Sequence, residues 1–272
     1  MSAPLAVLVT GASGGIGEAL AERFARDGHR LVLAARGAGG LERVAGACRR
    51  LGAPAVRVVS VDLARPEGVT RLLAAVEATG WRVDVLVNNA GVGLAGPFAE
   101  AEPDAVLGLL QLNVVALTQL TRALLPGILA SGRGGVLNVA STAAFQPGPY
   151  MAVYYASKAY VLSFSEALAA EVAAASAGRG VRVTALAPGP THTGFAERAG
   201  VSQSRLFRLG LVADVAAVAD AGYAGFRRGR RVVVPGLLNK VQVQALRLAP
   251  RRLVARVAAA MNRTRVLPAG TS

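Results

Sequence analysis

Short apolar runs that alternate with helical stretches along the chain predict an α/β fold, a doubly wound parallel sheet with helices on both faces. Three observations carry this prediction. The strand-like runs are nearly continuous in apolar residues, the pattern of strands covered on both sides. Helix follows strand in strict turn through short joins, as parallel strands require. A glycine-rich segment, T-G-A-S-G-G-I-G, joins the first run to the first helix.

The elements follow in order. Residues 5–10 read as the first strand, and a helical pattern then runs to about Asp27, with Gly28 as its stop. Residues 31–35 form a second strand and 41–51 a helix, while 55–61 form a third strand ending at Asp62. A helix over 66–79 begins near Pro66, where the missing N–H is harmless. Residues 83–87 run into N-N-A-G, a long helix covers about 103–130, and 135–140 form a fifth strand. A second long helix spans 153–177, a sixth strand 181–187, a helix 214–226 and a short last strand 231–234. That makes about seven strands. Past Pro235, two amphipathic stretches are broken at Pro250, and the second sets Leu253, Val254, Val257, Ala258 and Met261 apart from its arginines. With no linker or repeat, residues 1–235 are expected to form one catalytic domain, and 236–272 a basic helical extension of it.

Composition bounds the function. A hydrophobic share of 53% supplies one large core and argues against disorder. No stretch holds the ~18 uninterrupted apolar residues of a membrane span. The first residues carry no basic, secretion-type leader, so a cytoplasmic protein is expected. Cys48 reads as a small buried filler. Of the formal charge of +14, the segment from Arg198 onward carries 13 Arg and one Lys against Asp214 and Asp220. No nucleic-acid module is recognisable. The basic tail leaves three accounts open: a packed solvated extension, contact with an anionic membrane face, or attraction of an acidic carrier or CoA-linked substrate.

Gly11, Gly15 and Gly17 allow a tight turn and close approach of a diphosphate, with a helix N-terminus just beyond. This reads as a dinucleotide site. The second strand ends Ala34-Ala35-Arg36 without the carboxylate that bonds a ribose 2′-hydroxyl. Arg36 suits a 2′-phosphate instead, so NADP(H) is the expected cofactor, a solvated surface arginine being the plainer alternative. Tyr154 and Lys158 share one helix face, where an ammonium is expected to lower the phenol pKa toward neutrality. Ser141, ending the fifth strand, is placed to polarise a carbonyl. His192 reads as an ordinary loop residue, and two histidines and one cysteine offer no metal spacing.

Taken together, these residues resemble the classical short-chain dehydrogenase/reductase family, in its NADP-preferring branch, across about 5–234. Thr10 to Gly17 matches its T-G-x-x-x-G-x-G motif and Asn88 to Gly91 its N-N-A-G motif. Ser141 and Tyr154 have its spacing of 13, Asn113 matches its upstream Asn, and Pro188-Gly189 and Thr193 follow the sixth strand as it prescribes. Thr191 stands where many members carry Val or Ile.

The resemblance implies a Rossmann-like sheet and hydride exchange between nicotinamide and a carbonyl or secondary alcohol. It implies that Tyr154 is the general acid/base, that Lys158 tunes it and bonds the nicotinamide ribose, that Ser141 orients the substrate oxygen, and that Asn113 helps hold a water. The implied cofactor groove comprises Thr10, Gly11, Ser13, Gly15, Ile16, Gly17, Arg36, Asp62, Leu63, Asn89, Ala90, Gly91, Tyr154, Lys158, Pro188, Gly189, Thr191 and Thr193. It also implies a homodimer or homotetramer assembled through the two long helices. Tyr150, Met151, Phe195, Leu206, Phe207, Leu209 and Leu211 suggest an apolar pocket for an acyl, lipid-like or steroid-like substrate. A non-catalytic NADP(H)-binding sensor or scaffold and a 3-oxoacyl-carrier-protein reductase remain as alternatives.

Overall fold

Among the described residues, seven strands make one sheet in the order β3-β2-β1-β4-β5-β6-β7. They are β1 Ala6–Thr10, β2 Arg30–Ala35, β3 Val56–Ser60, β4 Val85–Asn88, β5 Gly134–Val139, β6 Val181–Leu186 and β7 Val232–Val233. Every pairing is parallel. This computed structural model describes residues 4–176, 180–200 and 212–263, without the side chains of residues 196 and 198.

Strand geometry sorts the core into two layers. Val7 and Val9 face Leu20 and Phe24 of α1 (Gly15–Arg26), Leu41 and Val44 of α2 (Ala38–Arg50), and Val218 and Phe226 of α8 (Val215–Arg227), which follows the one-turn helix α7 (Phe195–Arg198). Leu8, between them, faces the opposite layer with Leu72 of α3 (Gly68–Glu77), Leu120 and Ile128 of α5 (Leu117–Ser131), and Leu168 and Val172 of α6 (Ala152–Ala175). Alternate side chains thus enter opposite layers, and both are apolar, which is why the strands read as continuous apolar runs. Cys48 is fully buried in the first layer, and burial pushes its thiol up to about 11.

The expected helix over 103–130 is continuous but not uniform. α4 (Pro103–Leu110) passes through a π turn, Gln111–Ala116, into α5. The widened turn carries Asn113, whose side chain is held by Val92 and Ser157. Periodicity alone cannot report such a turn, because it adds residues without ending the helix. The run 103–131 is long and apolar enough to cross a membrane by length and composition, with 28% of its apolar window buried. α3 begins at Gly68, two residues later than the pattern around Pro66 suggests.

Asp84 lies at the amino end of the sheet, where its carboxylate accepts from Ala6 N at 3.0 Å and pairs with Arg133. Asp62 follows β3 at the opposite edge, so the two are not a catalytic pair. A buried polar line crosses the middle of the sheet. Asn88 Nδ2 donates to Thr121 Oγ1 at 3.0 Å and Asn138 Oδ1 at 2.9 Å, and Asn138 Nδ2 donates to Ser165 Oγ at 2.9 Å. It locks β4 and β5 to α5 and α6. Asn138→Ala removes two of these bonds, so we expect a loss of about 1–3 kcal/mol. Thermal or urea unfolding read by circular dichroism checks this.

Candidate active site

The order of strands reverses between β1 and β4, which opens a crevice at their carboxyl ends. A cavity of about 690 Å³ occupies this place, walled by the loops after β1, β2, β3, β4, β5 and β6.

One half of the cavity is built by backbone close to backbone. Thr10 Oγ1 donates to Val87 O at 3.2 Å and accepts from Asn89 N and Ala90 N, each at 3.1 Å. Asn89 Nδ2 returns bonds to Thr10 O and Gly11 O. A methyl group at Gly17 would lie 2.4 Å from both Gly11 O and Asn89 Nδ2, so no side chain fits there. α1 begins at Gly15 with no side-chain cap, which leaves its first N–H groups facing the cavity, where they could hold an anion. Gly11, Ser13, Gly15 and Ile16 line this half with Asp62, Leu63, Asn89, Ala90 and Gly91. Arg36 is exposed at its rim, with no carboxylate ending β2. Thr10 and Gly17 stand behind the wall rather than in it.

The other half gathers the expected catalytic set. The sequence places a tyrosine and lysine one turn apart on α6, and Ser141 caps the 3-10 turn Thr142–Phe145 across from them. Ser141 Oγ accepts from Ala143 N at 3.1 Å and donates to Pro188 O at 3.4 Å. Its hydrogen bond to Tyr154 works against burial, which dominates and pushes that phenol up to about 12. Lys158 donates to Val139 O at 2.8 Å, with its nitrogen 5.9 Å from the Tyr154 ring centre. Burial pulls Lys158 down to about 8. The expected lowering of the Tyr154 pKa by Lys158 is therefore not what this protein alone exhibits. Both groups lose water, and each then favours its neutral form. Asn113 sits behind them, 1% exposed, where its side chain fixes the Val92 backbone and Ser157 Oγ.

Pro188, Gly189, Thr191 and Thr193 close the cavity from the loop after β6, and an isolated bridge from Thr191 to Ala213 steadies that loop. Thr193 packs on Gly15, joining this loop to the glycine turn. Phe195 and Met151 line the wall, with the Phe195 ring 5.2 Å from that of Tyr154. Tyr150 and His192 do not line it. Leu206, Phe207, Leu209 and Leu211 lie outside the described residues.

Sequence reading missed a group supplied by the C-terminal helices α9 (Leu237–Leu248) and α10 (Arg251–Asn262). Gln242 and Asn262 line the cavity. Asn262 is 2% exposed, accepts from Tyr155 Oη at 3.1 Å and donates to Pro149 O at 3.0 Å. The Tyr155 ring lies flat on Gly148, where a methyl group would be 2.1 Å from it. Tyr150 holds a left-handed φ of 65°, costly for a bulky residue, and Arg263 donates to its hydroxyl at 3.0 Å. The amphipathic pattern read from sequence picks out Leu253, Val254, Val257, Ala258 and Met261 and neither Gln242 nor Asn262.

The family profile for short chain dehydrogenases matches residues 5–203. A short-chain dehydrogenase from Sphingobium yanoikuyae in complex with NADPH is 36% identical with a TM-score of 0.78, over 98% of this chain and 99% of that one. The bulky-bulky ketone specific alcohol dehydrogenase from Comamonas testosteroni is 30% identical with a TM-score of 0.76, over 99% and 98%. A short-chain dehydrogenase/reductase from Burkholderia phymatum in complex with NAD is 27% identical with a TM-score of 0.77, over 89% and 92%. Fold and cavity thus define a nicotinamide-dependent oxidoreductase of alcohol and carbonyl groups. The chain belongs to the short-chain dehydrogenase/reductase family.

Asn262→Ala leaves the Pro149 carbonyl and the Tyr155 hydroxyl without their partner. We expect a loss of about 1–3 kcal/mol in stability and a raised KM for carbonyl substrate. Unfolding curves and initial rates on the same preparation check both.

Proposed function

We propose that this protein is an NADP(H)-dependent carbonyl reductase/alcohol dehydrogenase acting on bulky, apolar ketones or secondary alcohols. The observation that carries this reading is the convergence of Ser141, Tyr154 and Lys158 on a cavity whose far half is an uncapped helix N-terminus among glycines. The residues fit a dinucleotide: the glycine turn admits a diphosphate, and Arg36 suits a 2′-phosphate. The NADPH complex of the Sphingobium yanoikuyae relative favours NADP(H), and the NAD complex of the Burkholderia phymatum relative makes Arg36 the residue to test. Phe195 and Met151 beside Tyr154, together with the ketone specificity of the Comamonas testosteroni relative, favour a bulky apolar substrate.

Bound nicotinamide supplies the hydride donor or acceptor. The chain's own residues handle the proton. Ser141 donates to the carbonyl oxygen and orients it, and Tyr154 gives that oxygen its proton in reduction and takes it back in oxidation. Burial favours the neutral phenol, the form that donates the proton in reduction. Lys158 orients the ribose and stabilises the phenolate left after transfer. Asn113 fixes the Val92 backbone at the wall and so positions the pocket. The outward apolar residues Leu107, Leu110, Val115 and Tyr160 suit a homodimer or homotetramer through α4–α6.

Tyr154→Phe is expected to keep NADPH binding, read by nucleotide fluorescence, and to lose turnover roughly 10²–10⁴-fold. Unchanged turnover would remove Tyr154 from the chemistry and favour a sensor or scaffold role. Arg36→Glu is expected to raise the KM for NADPH roughly 10–100-fold while leaving that for NADH nearly unchanged. Parallel titrations with the two cofactors measure this, and equal effects on both would overturn the NADP(H) assignment.

A further inference from the structure

The two C-terminal helices each carry two apolar faces. On α9, Val243 is buried, while Leu237, Leu238, Val241 and Leu248 return to the opposite side at helical spacing and stand in solvent. On α10, Val254 and Ala258 face inward, and Leu253 and Val257 are more than half exposed. Leu248 is 89% exposed and Leu237 78%. Isolated exposed leucines are ordinary, but a stripe of them on consecutive helices is a contact surface.

Charge decides what covers it. Lys240, Arg247, Arg251, Arg252 and Arg256 are exposed on the same two helices. No Asp or Glu follows Asp220 anywhere in the chain. An isologous contact between two copies of this face would set its cations against each other with no local acid to neutralise them. An acidic protein would meet the arginines and leave the leucine stripe to be matched separately. An anionic bilayer meets both demands at once, with acyl boundary for the leucines and headgroups for the arginines.

We propose that α9 and α10 form a docking face for an anionic lipid surface. The same helices supply exposed Gln242 and buried Asn262 to the cavity wall, so docking sets the cavity within about one helix diameter, roughly 10 Å, of lipid. The proposal goes beyond the reductase reading and stands apart from it.

The test is flotation of the full-length protein with vesicles of phosphatidylcholine alone and of phosphatidylcholine with phosphatidylglycerol, at low and high salt. The wild type is expected to float with the anionic vesicles only, and less so as salt rises. Leu248→Gln with Leu253→Gln, and separately Arg252→Gln with Arg256→Gln, are each expected to weaken binding roughly tenfold or more. Turnover of a water-soluble ketone, measured in parallel without vesicles, is expected to stay unchanged in both double variants. That control separates failure of docking from failure of the reductase reading. Absence of wild-type binding at low salt overturns the proposal. So does vesicle binding that the leucine pair leaves unchanged, since adsorption by charge alone gives the leucine stripe no part in it. A drop in oligomer mass on the leucine substitutions, read by light scattering, assigns it to a second copy and overturns it too.

Discussion

The approach of the glycine turn to the end of β4 is the contact on which the rest of the site depends. Thr10 binds three backbone groups of the neighbouring strand and loop, and Asn89 binds back. With room at Gly17 for no atom beyond hydrogen, the first helix is drawn against this knot. Its free N–H groups then aim into the crevice that the strand order opens. A larger residue at Gly17 would move the helix axis, and with it the anion site, away from α6. One steric limit therefore sets the separation of the two halves of the cavity.

The second half depends on burial that is unfavourable for its own residues. Tyr154 and Lys158 are both held where their charged forms lose water, in opposite directions on the pH scale. Ser141 and the Val139 carbonyl compensate locally, through bonds that a surface tyrosine and lysine would not need. Burying these two groups costs stability, the relation expected between a scaffold and the proton-transfer role proposed for Tyr154. The polar line through Asn88, Thr121, Asn138 and Ser165 anchors α5 and α6 so that this pair keeps its place.

The sheet, its parallel sense and the catalytic-end placement of Ser141 were legible because burial on both faces writes itself into sequence as continuous apolar runs. Tyr154 and Lys158 were legible because helical spacing fixes which residues share a side. Three things were not. The π turn at Asn113 leaves no periodic signature, since the helix continues through it. The pKa balance depends on water excluded by distant residues, which spacing cannot reveal. The roles of Gln242 and Asn262 arise from the fold bringing the end of the chain to its middle, and no local pattern predicts such a meeting.

The bond between Tyr155 and Asn262 joins residues 107 positions apart. Thr10 closes on Asn89 and Ala90 over 79 and 80 positions, whereas the wall around Tyr155 waits for α10 to dock. Loop closure over long separations is slow, and a chain emerging in order supplies its final helix last. The wall is therefore assembled in sequence: the glycine turn can close on the end of β4 while the chain is still growing, and the part around Tyr155 completes only when α10 arrives. A chain cut short before Asn262 would hold all seven strands and lack the latch on Tyr155 and Pro149.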